Sequence, residues 1–412
     1  MSGHEDHPAT RLRLFIGKGG AGTSTLAAAT AVATASPQRP VLLVSLDQAP
    51  ALADVFGLER APGVIRSVTD GLDILEIDSL TLLERRFAAL TTLLAAAGAG
   101  HEHSAGFALP APEEITGMPG VQEVLALHEI ARLVADDPRR TVVVDCPSAS
   151  AAFGTLAAPR MAADYVERIW PQHSRIEAAT GPDLRLGLVV ALFDRMLDRI
   201  GEIRDLLADR TRTSVTLVGT ADRVGAAELR RLRSWTALSG LRLDSVIVNG
   251  LVPDFGAGTG SAADWLDAQR RAQRAVLAEI VSTFGNVPVL ECERLATEPV
   301  GLTSLGMFAQ ALCREDRDLR EAHADDTDPV RVQHESGTGV DSVYTMRMHL
   351  PLADPATLTL GRVDDDLVVG ADGIRRRVRL ASGLRRCTVS GAEFDGGDLL
   401  VRFVPDPAVW PQ

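Results

Sequence analysis

The feature that most restricts how this chain can fold is a glycine loop set between a buried strand and a helix. Residues 11–17 (RLRLFIG) read as a buried strand, and Gly17-Lys18-Gly19-Gly20-Ala21-Gly22-Thr23-Ser24-Thr25 follows at once. An Ala-rich segment of helical character continues to Ser36 and is stopped by Pro37. A strand that turns straight into a helix needs that crossover before another strand can pair with it in parallel. Residues 40–46 (PVLLVSL), leading into Asp47, supply the next strand, and further buried-strand candidates lie at 73–77, 141–145, 214–219, 245–249 and 287–290. Runs that are apolar throughout, rather than alternately, are buried on both faces. The expected fold is therefore α/β, with a doubly wound, mostly parallel sheet.

Two blocks interrupt the alternation. Residues 80–134 and 161–209 carry apolar side chains at helical spacing, as in Leu83, Phe87, Leu90 and Leu94, or Leu188, Leu192, Met196 and Ile200. They read as a helical insertion within a domain spanning 11–313, after a polar, disordered start at 1–10. Residues 314–342 are polar and acidic and read as a linker. Beyond them the period becomes two: Tyr344, Met346, Met348 and Leu350 alternate with polar neighbours. Asp372-Gly373 and Asp395-Gly396-Gly397 mark turns, so residues 343–405 are expected to form a small antiparallel β-sandwich.

The loop is suited to an anion. Glycines let backbone N–H groups turn toward a polyphosphate, and the helix N-terminus adds partial positive charge. In the usual phosphate loop a lysine stands just before Ser/Thr and reaches the β- and γ-phosphates; here that position is Thr23. Gly19, Gly20 and Gly22 would form the cradle, Ser24 would be the magnesium ligand, and Thr25 would meet the inner phosphates. A tight turn between strand and helix is the plainer alternative. Against it stands one compositional fact: of 42 basic residues 41 are arginine, and the single lysine, Lys18, lies in this loop. Arginine drift explains the 41 but not the position of the survivor.

Net charge is −13, which argues against a nucleic-acid-binding face. The polar start lacks the apolar core of a secretory signal, and no apolar run is long enough to span a bilayer. Four scattered cysteines (Cys146, Cys292, Cys313, Cys387) form neither a C-x-x-C motif nor a disulfide framework. A cytoplasmic protein with free thiols is expected. His101 and His103, flanking Glu102 in a Gly/Ala-rich stretch, have no nearby partner ligands and read as a solvated loop.

K-G-G-x-G, with the lysine ahead of the first glycine pair, resembles the deviant phosphate loop of the arsenite-pump (ArsA), MinD/ParA and nitrogenase iron-protein class. Further motifs narrow the resemblance to the ArsA and tail-anchored-protein-targeting ATPases. Ser45-Leu46-Asp47-Gln48-Ala49-Pro50-Ala51 is similar to the family's first switch, and Asp145-Cys146-Pro147-Ser148 stands where its second switch lies, with the A-P-T-G core replaced. Residues 118–127 (MPGVQEVLAL), 246–253 (VIVNGLVP) and Glu298-Pro299-Val300-Gly301 resemble other family segments. Leu350-Pro351, residues 367–369, Arg375-Arg376-Arg377, Gly391-Ala392 and Val401-Arg402-Phe403 resemble the small-heat-shock-like (α-crystallin-type) module of bacterial members.

The resemblance implies that the doubly wound parallel sheet is a P-loop NTPase fold, with ATP or ADP and Mg2+ as ligands. It implies that Lys18 reaches across a dimer to the partner's nucleotide, that Asp47 orients or deprotonates the attacking water, that Asp145 serves the second switch, and that Asn249 and Glu298 lie by the base. The family's arsenite-binding cysteine cluster and zinc-binding C-x-x-C are missing. Two functions stay open. One is an ATP-dependent dimeric switch with impaired hydrolysis that handles a hydrophobic or membrane-protein client. The other is a pseudo-ATPase scaffold or sensor that pairs, as homodimer or as heterodimer with an active paralogue. Thr23 and the changed second switch favour the latter, and retained Asp47 favours the former. The helical insertions and the β module argue against a MinD/ParA partitioning ATPase.

Overall fold

The computed structural model describes residues 11–96, 120–316 and 330–410, apart from 48, 50, 183 and 257. The expectations for residues 1–10, Gln48, Pro50, Met118 and the His101–His103 loop lie outside these residues, as does that for most of the 314–329 stretch. The described residues fall into two compact units, one within Met1–Ser214 and Leu295–Arg314, the other within Val215–Arg294 and Glu315–Gln412.

The first unit begins with β1 (Leu12–Gly17), α1 (Thr23–Thr34), β2 (Val41–Ser45), α2 (Leu52–Phe56), β3 (Arg66–Thr69) and β4 (Leu72–Glu76). Then come α3 (Ser79–Ala96), α4 (Val121–Asp136), β5 (Thr141–Asp145), α5 (Ala149–Ile169), α6 (Gln172–Thr180) and α7 (Leu184–Ala208). Its strands lie in the order β3-β4-β2-β5-β1, parallel except for β3, which runs antiparallel to β4. Leu12, Leu14, Leu42, Leu43 and Val142–Val144 are almost wholly buried, which is why these strands show no apolar/polar alternation. Strand β3 gave no such signal because every second side chain faces solvent.

Helix α5 starts earlier than the helical block read at 161–209 and runs straight through Pro159. It packs against α4 and α7. Arg175 on α6 is buried, bonds the Trp170 carbonyl and pairs with Glu167 and Asp194, so one guanidinium ties α5, α6 and α7 together.

The second unit contains β6 (Thr213–Thr220) from Val215 on, α8 (Arg223–Ser239), β7 (Leu243–Leu251), α9 (Ser261–Phe284) and β8 (Val289–Glu293), with the strands parallel in the order β6-β7-β8. Helix α10 (Leu302–Asp316) begins in the first unit. The C-terminal strands are β9 (Val330–Ser336), β10 (Val343–His349), β11 (Thr359–Val363), β12 (Asp366–Ala371), β13 (Ile374–Arg379), β14 (Cys387–Asp395) and β15 (Asp398–Pro405). They make two antiparallel sheets, β14-β15-β10-β9 and β11-β12-β13, around a shared core of Met346, Met348, Leu367, Val369, Val401 and Phe403. Strand β9 occupies residues that read as polar linker. Its side chains past Val330 are exposed, so it is a strand by virtue of its pairing with β10 alone.

The turns expected at 372–373 and 396–397 close two-residue hairpins, and all four residues have positive φ, as a type I′ turn requires. The β module is not merely tethered. Leu238 at the end of α8 lies in its core, Trp235 donates its indole N–H to the Asp372 carbonyl (3.1 Å), and the Arg376 guanidinium donates to the Leu238 carbonyl (2.7 Å). Arg376 thereby caps the last turn of α8, where a cation is favoured.

Candidate functional site

The phosphate-type loop folds as its glycines require. Gly20 and Gly22 take φ of 85° and 89°, a left-handed conformation that costs a side-chain-bearing residue about 1–2 kcal/mol. The Ala21 N–H donates to the Lys18 carbonyl (3.0 Å), closing the turn, and Ala21 is buried while Lys18, Gly19 and Gly20 are exposed. Helix α1 then starts at Thr23 with no side-chain cap and no acidic residue in its first turn. Its first N–H groups are therefore left for solvent or a ligand. A Cβ built on Gly19 or Gly20 would meet nothing within 4 Å, so the loop backbone is open on that side.

Behind the loop, one row of residues crosses four strands. Phe15 of β1 is in register with Asp145 of β5, Asp145 with Ser45 of β2, and Ser45 with Glu76 of β4. All four are buried and lie toward the C-terminal ends of their strands, where parallel sheets hold their ligands. The hydroxyls of Ser24, in the first turn of α1, and Ser45 both bond the Asp145 carboxylate. Burial pushes that carboxyl up to about 7, and the charge of Asp47 adds to the rise. The two hydroxyl bonds only partly oppose it. Oδ1 of Asp145 has no hydrogen-bond partner among the described residues.

Asp47 stands half-buried just past β2. Its N–H donates to the Ser45 hydroxyl (3.3 Å) and its carboxylate accepts from the Ala49 N–H (3.0 Å). Ser24, Asp47 and Asp145 are thus drawn together, with Ser45 shared between the two acids. Thr23 and Thr25 are half-buried in the same first turn, and no positive charge stands at Thr23. Glu298 lies exposed in a loop just before α10, and that loop is fastened to α2 by the Gly301 N–H on the Val55 carbonyl (2.9 Å). Asn249 belongs to the second unit, where it lies in register between Thr220 and Cys292 and accepts from the Gly250 N–H.

Ser45 and Glu76 were missed as site residues. Each is a polar residue at the end of a buried strand, which the sequence shows, but only the register of β4, β2 and β5 sets it in a row with Asp145. Hard oxygen donors suit magnesium, and the unpartnered Asp145 Oδ1 beside the Ser24 hydroxyl fits such an ion.

A sequence profile described as "anion-transporting ATPase" matches residues 10–314, and one described as "HSP20-like domain found in ArsA" matches residues 341–403. The chain belongs to the ArsA ATPase family. Protein Rv2184c of Mycobacterium tuberculosis is similar to it, at 41% identity with 97% of each chain covered. A putative arsenical pump-driving ATPase of Aquifex aeolicus is 24% identical over 95% of this chain and 99% of that protein. The ATPase GET3 of Pyricularia oryzae is 23% identical over 73% of this chain and 90% of its own. An ArsA-family member of this kind carries the HSP20-like module as part of the same chain. Among the described residues no helix is long and apolar enough to cross a membrane.

Proposed function

We propose that this ArsA-family chain is a cytoplasmic, ATP-dependent dimeric switch that binds Mg-ATP or Mg-ADP, turns it over slowly, and handles a hydrophobic protein client. The observation that carries the reading is the open glycine cradle at α1 set against Ser24, Asp47 and Asp145. In this reading the N–H groups of the loop and of the first turn of α1 hold the phosphates. Ser24 and Asp145 hold the magnesium ion, which when bound offsets phosphate charge as a Lewis acid. Asp47 orients the water, and Lys18, exposed at the rim, supplies its charge to the partner's nucleotide. Thr23 leaves each site without its own phosphate-contacting cation, so hydrolysis is slow. Glu298 serves the base.

The client side rests on α5. Met161, Tyr165 and Ile169 recur at helical spacing, and with Ile176 of α6 each is more than half exposed. Helix α5 begins only four residues after Asp145, so it leads directly from the buried acid to that apolar stripe. Such a patch marks an interaction surface.

A second reading, a nucleotide-sensing pseudo-ATPase that pairs with a complete paralogue, is favoured by Thr23 and by the changed second switch at Cys146-Pro147-Ser148. Calorimetric titration of Mg-ATP and Mg-ADP into wild type, Lys18→Ala and Thr23→Lys, with phosphate release measured in parallel, separates the two. Slow release in wild type that Lys18→Ala abolishes supports the switch. Binding with no release, even in Thr23→Lys, supports the sensor. No binding at millimolar nucleotide removes both.

A further inference from the structure

The buried row of the first unit ends in a carboxylate that the nucleotide reading does not use. Glu76 closes β4, is 2% exposed, and is in register with Ser45. Its Oε1 accepts the backbone N–H of Ala53 at 2.9 Å, in the first turn of α2, while Oε2 has no hydrogen-bond partner among the described residues. Helix α2 follows the Asp47 segment directly. A carboxylate placed on a free helical N–H makes a charge-assisted bond, stronger than one between neutral groups.

The far end of α2 is held as well. The Gly301 N–H donates to the Val55 carbonyl at 2.9 Å, and Val300 Cγ1 lies 3.8 Å from where a Cβ on Gly57 would stand. The short helix is thus bonded at one end to the sheet, through Glu76, and at the other to the loop that carries Glu298.

We propose that Glu76 is a positioning residue for Asp47: it pins the start of α2 to β4, so that the Asp47 segment is held between Ser45 and Ala53 and moves with the 298–301 loop. Glu76 touches no reacting atom in this proposal. It rests on the nucleotide-switch reading for its purpose, but the tether itself is measurable without nucleotide. A carboxylate whose only task was to fill space in the core would be a poor choice, because burying a charge is costly unless it is bonded.

The test is hydrogen exchange on the full chain in wild type, Glu76→Gln and Glu76→Ala, with and without Mg-ADP. Glutamine keeps an acceptor for the Ala53 N–H and alanine does not. Without nucleotide, Glu76→Ala should raise exchange over residues 51–56 by about tenfold, and Glu76→Gln should restore most of that protection. Exchange in β5 and α4 should stay at the wild-type level in both. With Mg-ADP, wild type and Glu76→Gln should slow together at 51–56 and 298–302, whereas Glu76→Ala should slow at 298–302 only. The proposal is overturned if both variants match wild type over 51–56, if protection falls evenly over the whole unit, or if Glu76→Ala still slows in both places. If Mg-ADP changes nothing in any chain but the apo difference stands, the nucleotide reading fails while the tether survives. Should Glu76→Ala not fold, Glu76→Gln compared with Glu76→Leu gives the same contrast.

Discussion

Replacing Asp145 by asparagine should stabilise the empty protein at neutral and higher pH and lower its stability by about 1–2 kcal/mol at low pH. In the folded chain burial lifts this carboxyl from 3.8 to about 7. That is about 3 units, or about 4 kcal/mol at 1.36 kcal/mol per unit. The sign follows from which state releases its proton first. Between the two values the unfolded chain has given up the proton and the folded chain retains it, so stability falls as pH rises. The contribution is whole below the unfolded value, is lost through the window up to about 7, and is constant above it. Asparagine accepts the Ser24 and Ser45 hydroxyls in the same way but does not ionise. Its buried NH2 group adds a penalty of about 1–2 kcal/mol that does not vary with pH. The difference in stability, variant minus wild type, should therefore climb by about 2.5 kcal/mol from pH 5 to pH 8 and then level off. Urea denaturation of both chains in EDTA, without nucleotide, measures it, and titrating groups that do not interact with Asp145 cancel in the difference. A difference that stays flat from pH 5 to pH 8 refutes the reasoning, since it would mean that Asp145 ionises like a solvated carboxylate.

Four other perturbations have expected outcomes. Gly20→Ala forces a side chain into a left-handed conformation and should lower stability by about 1–2 kcal/mol and weaken Mg-nucleotide binding, read by thermal melting and calorimetry. Leu238→Ala removes a wholly buried side chain from the core of the β module and should cost about 2–5 kcal/mol; limited proteolysis should then release residues 330–410. Trp235→Phe loses the bond to the Asp372 carbonyl together with part of the ring, and should cost at least about 1 kcal/mol in thermal melting. Changing Met161, Tyr165 and Ile169 together to serine should leave stability within about 1 kcal/mol, because the side chains are exposed. It should reduce capture of an apolar helical peptide, measured by fluorescence anisotropy, and unchanged capture would remove α5 as the client surface.

Most of the parallel fold was legible because strands buried on both faces are mostly apolar, and β1, β2 and β5 are of that kind. Strands β3 and β9 were not, since both lie at sheet edges with half or more of their side chains in water. Their conformation comes from pairing with β4 and β10, which is a property of the fold rather than of the segment. The C-terminal hairpins were legible for a local reason: Asp372-Gly373 and Gly396-Gly397 accept the positive φ that a two-residue turn imposes. Lys18, Ser24, Asp47 and Asp145 were read from spacing and resemblance. Ser45 and Glu76 escaped because their part depends on register, and register sets them beside Asp145 only once β2 lies between β4 and β5. The hold of α8 on the β module escaped for the same kind of reason. Nothing in the segment around Trp235 and Leu238 says that their partners lie more than a hundred residues on.

The charge balance of the loop leads to a last prediction, about metal. The residues gathered beneath the glycine cradle are two acids and two hydroxyls, and the position that ordinarily carries a lysine is Thr23. The only cation of the loop, Lys18, is exposed at its rim. A polyphosphate entering alone meets favourable N–H dipoles but also the charges of Asp47 and, above about pH 7, Asp145. The helix terminus offers about half a unit of positive charge, which does not offset them. A divalent ion bound by Ser24 and Asp145 reverses that balance, because it brings two full charges to the side of the site where repulsion is strongest. ATP should therefore bind in magnesium and lose at least about tenfold in affinity in EDTA. Thr23→Lys should shrink that ratio by placing a cation in the loop itself, and Asp145→Asn should shrink it by removing a repelling charge together with a metal ligand. Calorimetry at fixed ionic strength gives all three ratios. Equal affinity with and without magnesium in wild type would mean that the phosphates are held away from Asp145, and the assignment of Ser24 and Asp145 to the ion would have to be given up.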